Sequence, residues 1–203
     1  MYLGLVVLLT FHEFGHAWTA LKCGDDTARL QGRVSLNPLV HIDIIGTVAV
    51  PLFMILLPAF GGFLVGWAKP VPVNPHNLRN PRTDDILVTL AGPGMNLLLA
   101  VVLMALARIG LMIDSLSMAA LCAQTAQLSL LLCFFNLLPI PPLDGSQVVR
   151  SLSGMSYEAY YAIARYGIII LIIALQFQFV RDLIGFATSQ TWHTLGSWFG
   201  VPI

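Results

Sequence analysis

Charge is what this sequence has least of. Only 10% of its 203 residues are Asp, Glu, Lys or Arg, against about 25% in an ordinary soluble domain. Glutamate is almost missing, with Glu13 and Glu158 the two examples. The formal net charge is zero, so there is no electrostatic footing for nucleic acid. Three cysteines, Cys23, Cys122 and Cys133, fall at irregular spacing and supply no disulfide framework. Cys122 and Cys133 are expected on one helix, too far apart along its axis to bridge. No basic region precedes the first apolar run, which argues against a cleaved signal peptide. Neither an internal repeat nor a low-complexity linker divides the chain, and residues 1–203 read as a single domain. What fills the sequence is hydrocarbon. Hydrophobic residues make up 57% of it and the mean hydropathy is +0.82. The expectation is an all-α, polytopic membrane protein whose partner is the lipid bilayer.

Inside the first apolar run stands Phe11-His12-Glu13-Phe14-Gly15-His16-Ala17-Trp18. On a helix, His12 and His16 project from one face, one turn apart. That spacing lets two imidazoles hold one zinc ion, with positions left for a third ligand and a water. Glu13 stands beside the pair without being a ligand, which suits a base that takes a proton from an attacking water. Two core histidines in a chance match is the competing reading. It is disfavoured because ionisable groups in a lipid-length helix are costly without a partner and function by default.

Taken in order, Met1 to Leu21 is about 30 Å of helix, enough to span a bilayer. Lys22 to Asp43 turns polar, and Arg29, Gln31, Arg33 and Ser35 alternate with Ala28, Leu30 and Val34. The alternation predicts one or two short strands ending at Asn37-Pro38. Ile44–Trp67 is long enough to cross, but Pro51, Pro58 and Gly61-Gly62 interrupt it. Spans are expected at Ile86–Ile109, Met118–Leu138 and about Tyr161–Leu183. An amphipathic interfacial tail is expected over Thr188–Ile203, with Trp192 and Trp198. The fold class is thus a helical bundle of about four to five spans plus a small membrane-associated β element. If Ile44–Trp67 dips in and returns, Lys22, Arg29, Arg33, Lys69, Arg79 and Arg82 share one side. The positive-inside rule favours that arrangement and makes the shared side cytoplasmic; a full crossing remains the alternative. The localisation expected is a multi-pass cell membrane protein, and the re-entrant arrangement puts the histidine pair nearer the cytoplasmic face.

Two histidines do not complete a catalytic zinc site. Thr19 and Lys22 occupy the places that a third-histidine motif would need. A glutamate ligand from a following helix could only be Glu158, and Asp144 is the carboxylate favoured over it. Glu158, among tyrosines, reads as a helix start at the interface. Asp144 follows a proline-broken turn at the end of a span, where irregular backbone normally lines a polar cavity. A turn-forming Asp-Gly is its plainer reading.

His-Glu-Phe-Gly-His, Gly92-Pro93-x-x-Asn96 and Asn136-Leu-Leu-Pro139-Ile-Pro141-Pro142-Leu-Asp144-Gly145 together resemble the motif set of the site-2 proteases. These are intramembrane zinc metalloproteases, and the likeness runs from residue 1 to about 155. Gly66-Trp67-Ala68-Lys69-Pro70-Val71-Pro72-Val73-Asn74-Pro75 resembles the compact bacterial and archaeal branch, without PDZ or CBS domains. The resemblance implies one zinc per chain held by His12, His16 and Asp144, with Glu13 as base. It implies that Asn136 helps hold substrate backbone, and hydrolysis of transmembrane protein substrates within or near their spans. Asn136 and Asn96 could each donate to the oxyanion or substrate backbone; Asn136 could equally cap the helix near Pro139. Gly62–Val73 is expected to offer an edge strand with free backbone groups to an unwound substrate. A metal transporter or sensor and a catalytically silent scaffold are the rival readings. Glu13 has no purpose in a transporter, and its presence argues against a scaffold, the two classes being separated by whether Glu13→Gln is tolerated. Arg150 reads as a membrane-surface anchor, and His41, His76 and His193 as bland loop or tail histidines.

Overall fold

The computed structural model describes residues 2–50, 52 and 66–202. Its long elements are helices: α1 (Tyr2–Lys22), α3 (Pro81–Met112), α4 (Leu116–Asn136) and α8 (Gln178–Phe199). Shorter ones are α2 (Thr27–Leu30), α5 (Asp144–Ser153), α6 (Tyr157–Ala164) and α7 (Gly167–Gln176). Among the described residues there is no strand.

Helices α3 and α4 are long and apolar enough to cross a membrane. A third candidate arises if α6 and α7, bent by 60° at their junction, count as one broken span. Helix α1 has 21 residues, enough to span about 30 Å. His12, Glu13 and His16 dilute its apolar character at the point where the site is built. The expected Tyr161–Leu183 span is therefore not continuous. It breaks after Ala164 and again at Phe177, whose backbone is extended. The expected interfacial tail differs too. Helix α8 begins at Gln178, and its Leu195 is buried with Ala100, Met104, Ala126 and Leu130, flanked by Trp192 and Phe199. Small residues on α3 and α4 leave room for those large ones, so the tail completes the bundle core.

The stretch 22–43 is helical and turned where short strands were expected. Asp25 is fully buried and accepts from Thr27 N, Asn74 N and Asn77 Nδ2 at 3.0, 2.7 and 3.0 Å. Those bonds start a turn rather than a ladder. Gly32, at φ +67°, ends the short helix α2. The alternation arises because Ala28 and Arg33 point inward from a compact turn.

Ile44–Trp67, expected to cross or re-enter, lies largely outside the described residues. Its described ends meet: Trp67 N donates to Gly46 O at 3.2 Å and Thr47 Oγ1 to Trp67 O at 2.7 Å. Residues 66–73 form an extended strap. Ala68 on it is buried against Leu5, Leu9, Leu128 and Leu132, which seats the strap between α1 and α4. Of the expected edge strand Gly62–Val73, residues 62–65 lie outside the described residues. The rest is not a strand, and the chain's own fold takes part of its backbone groups. Lys69 N donates to His41 O, Arg33 takes the Lys69 and Pro70 carbonyls, and Pro70 and Pro72 have no N–H at all.

Candidate metal centre

Three side chains from two distant stretches converge. His12 Nε2 and His16 Nε2 lie 3.1 Å apart. Asp144 Oδ2 lies 3.2 Å from the first and 3.5 Å from the second. One ligand atom from each falls within 4.8 Å of the others, the geometry of a group that could hold a metal ion. Both imidazoles are buried. Glu158, the other candidate carboxylate, is exposed on the first turn of α6.

Helix α3 brings the imidazoles to this point with one stripe. Val88, Gly92 and Asn96 are four residues apart and share a face. His16 Nδ1 donates to Val88 O at 2.7 Å. That bond leaves the Nε2 lone pair of His16 facing Asp144. Pro93 lies inside α3 and removes one rung of its ladder, loosening the helix beside that carbonyl. Gly92 is required here, since a Cβ would run into His16 Nε2 and the His12 ring. Gly15 serves the same approach from α1, where a Cβ would stand 2.7 Å from the Ala91 carbonyl oxygen.

Asn96 is fully buried. Its Nδ2 donates to His12 Nδ1 at 3.1 Å, while its Oδ1 has no partner. Asp144 Oδ2 likewise has no hydrogen-bond donor although it is buried. An orphaned carboxylate oxygen aimed at two imidazole nitrogens fits a cation between them. Such a cation would take the His12 proton to Nδ1, and the Asn96 amide, turned over, would accept it through Oδ1. Ligating histidines normally donate their second N–H to an oxygen in this way.

Helix α5 carries Asp144 at its first residue and is fixed by a network absent from the sequence reading. Arg150, expected at the membrane surface, is buried and paired with buried Asp85 of α3. Ser151 Oγ bonds the same carboxylate, Tyr157 donates its hydroxyl to Asp85 Oδ1 at 3.2 Å, and the Tyr157 ring lies under the guanidinium. The physical reason is local. Asp85 is an acid in the first turns of a long apolar helix, and burying a charge is costly unless it is paired or hydrogen-bonded. In the sequence, the one available signal was Asp84-Asp85 entering a span.

Glu13 lies on the neighbouring position, outside the ligand group, and its Oε2 accepts from Val71 N at 3.0 Å. Asn136 Nδ2 donates to Leu132 O at 2.9 Å, a bond back onto its own helix four residues earlier. The structure thus gathers His12, His16, Asp144, Glu13 and Asn96, and leaves Asn136 turned to its own backbone.

Three protein donors rather than four is the ligand count of catalytic, not structural, zinc centres. Among the described residues, that group is built from the helix α1 and the first residue of α5. The chain belongs to peptidase family M50, whose description it matches over residues 1–113 and 110–175. It is 38% identical to the "Putative zinc metalloprotease YwhC" of Bacillus subtilis (strain 168) over 180 residues, covering 83% of this chain and 76% of that protein. It is also 38% identical to the "Putative zinc metalloprotease Rip2" of Mycobacterium tuberculosis (strain ATCC 25618 / H37Rv), over 70% of this chain and 52% of that protein. The Rip2 of Mycolicibacterium smegmatis is 31% identical, over 85% of this chain and 64% of that protein. The chain therefore spans about half to three quarters of these relatives. No solved structure gives a significant match.

Proposed function

We propose that this chain is a zinc-dependent intramembrane endopeptidase that cuts peptide bonds within or near transmembrane segments of other proteins. The observation that carries the reading is the convergence of His12, His16 and Asp144 on one point, with the Asp144 Oδ2 orphaned there and Glu13 adjoining it. His12, His16 and Asp144 would hold one zinc. When bound, zinc supplies Lewis-acid polarisation of the scissile carbonyl and acidifies the attacking water. Glu13 takes the proton of that water and hands it to the leaving amine. Asn96 fixes the direction of His12 from behind, and the Val88 carbonyl does the same for His16. A helical substrate has no free carbonyl, so it must unwind before attack.

The protein sits in the cell membrane as one domain of about four to five spans, its site nearer the cytoplasmic face. The meeting of residues 46–47 with Trp67 supports a segment that makes no net crossing, the arrangement the distribution of basic residues favours.

The test uses a dye-labelled single-span peptide weakened by Asn-Pro in its span, in detergent. Glu13→Gln should abolish cleavage and keep zinc at the wild-type level by elemental analysis. His12→Ala, His16→Ala and Asp144→Ala should lose zinc as well, and Glu158→Ala should lose neither. Cleavage by Glu13→Gln, or zinc loss in Glu158→Ala beside a zinc-replete Asp144→Ala, would overturn the reading.

A further inference from the structure

Two prolines isolate one donor in the strap. In Pro70-Val71-Pro72, the N–H of Val71 has no backbone N–H on either side. That single donor goes to Glu13 Oε2 at 3.0 Å. The carbonyl of the same peptide group, Pro70 O, accepts from Arg33 Nη2 at 3.2 Å. One planar peptide unit therefore lies between a guanidinium and the carboxylate, its N–H on the acid and its oxygen on the cation.

Arg33 is built for holding backbone. It is buried, and its other contacts are the carbonyls of Val40 and Lys69. No carboxylate pairs with it among the described ion pairs. A buried cation without a carboxylate partner is costly. Its charge is met by three carbonyl oxygens on two segments, 40 and 69–70. The rigid fork of Arg suits this, where a lysine would act as a point charge. His41, buried beside it, reinforces the same joint. Its Nε2 donates to Ser35 O at 2.7 Å and its carbonyl accepts from Lys69 N at 2.9 Å.

We infer that Arg33 is a positioning residue for Glu13, acting through the Pro70–Val71 peptide group. The inference rests on Glu13 being the base. A peptide plane is stiff, so fixing its oxygen fixes its N–H. Arg33 thereby sets where the carboxylate stands relative to the imidazole pair, although it touches neither. The arrangement also leaves the other carboxylate oxygen, Oε1, for the water.

The experiment compares wild type, Glu13→Gln, Glu13→Ala, Arg33→Ala and Val71→Pro in detergent with the same labelled peptide. Misplacing a reacting group by an ångström can cost about 100-fold. Arg33→Ala is accordingly expected to lower kcat about tenfold or more, with KM within about twofold and zinc content unchanged. Low-millimolar guanidinium should restore part of that rate. Val71→Pro, which keeps Arg33 and removes the donor, should show the same kcat loss without guanidinium rescue. It also serves if Arg33→Ala fails to fold. Independently of turnover, the Val71 amide should be protected from hydrogen exchange in wild type, and exchange about tenfold faster in Glu13→Ala and Arg33→Ala. If Glu13→Gln still cleaves, the protease mechanism fails, and the amide exchange alone judges the Arg33–Glu13 link. If Glu13→Gln is dead while Val71→Pro keeps wild-type kcat, or loses only KM, the positioning role is overturned.

Discussion

Arg150 and Asp85, 65 positions apart in the chain, form a buried ion pair that ties α5 to α3. Asp144 stands at one end of α5 and Arg150 lies in its last turn. The pair therefore sets the height at which the carboxylate meets the two histidines. Removing one partner of such a pair costs about 3–5 kcal/mol, because the other charge stays buried. Arg150→Met should destabilise the protein by about that amount in denaturant titration and lower zinc retention. The double variant Arg150→Met/Asp85→Leu should recover part of the stability. A single variant as stable and as zinc-loaded as wild type would show that α5 is held by other contacts.

Asn96 makes a second prediction. Loss of an outer partner of a ligating histidine typically lowers metal affinity about 10–100-fold. Asn96→Leu should show a loss in that range by chelator competition, whereas Asn96→Asp, which keeps an oxygen for His12 Nδ1, should lose less. Equal zinc affinity in wild type and Asn96→Leu, with only KM raised, would move Asn96 from the metal centre to the substrate.

How much of this was legible beforehand depended on what kind of partner each residue has. His12, Glu13, His16 and Asp144 are ionisable side chains at spacings set by a helix or a turn, so they could be singled out as candidates from the sequence, and the structure brings His12, His16 and Asp144 together. The helices α1, α3 and α4 followed from apolar length. Arg33, Val71 and Asp85 could not be read that way. Their partners are main-chain atoms or charges 36, 58 and 65 positions away, and only tertiary packing brings them together. The polar stretch 22–43 misled for a related reason. Inward Ala28 and Arg33 imitate strand alternation while Asp25 draws the chain into a turn. Arg150, a long amphipathic side chain after a span, resembles an anchor until its acid is seen.

Asp25 lies beyond the end of α1, outside the spans. Burial pushes its carboxyl up, but hydrogen bonds from Thr27, Asn74 and Asn77 outweigh this and hold it below the ordinary carboxylate range. A group whose folded pKa is depressed stabilises the fold above its unfolded value, about 3.9, and loses that contribution as pH falls through the folded pKa. Wild type should therefore lose stability below about pH 4. Asp25→Asn should be less stable at neutral pH and show a flatter acid limb, read by thermal unfolding from pH 7 to 2.5. Parallel acid limbs in the two proteins would mean that Asp25 does not anchor Asn74 and the strap.

Arg79 N donates to Cys23 O at 3.0 Å, which places the start of α3 beside the end of α1. In a variant lacking the native cysteines, Gln31→Cys and His76→Cys should both react with an impermeant thiol reagent from the cytoplasmic side. Asp114→Cys, in the turn between α3 and α4, should react from the other side. Labelling of Gln31→Cys and His76→Cys from opposite faces would contradict both the positive-inside assignment and that hydrogen bond.

Val88, Gly92 and Asn96 occupy successive turns of one face of α3, and each meets a histidine of α1 in a different way. The count of residues along that stretch is consequently constrained more tightly than their identity elsewhere on the helix. Leu87, Leu90, Leu97 and Leu98 are exposed and could exchange for other apolar residues at little cost. Inserting a single residue between Val88 and Asn96 would turn everything beyond it by about 100°. The Asn96 amide would then turn away from His12, and a side chain would be brought to the face where Gly92 leaves room for the two imidazoles. Over these nine positions α3 works as a ruler: its spelling can drift, and its length cannot.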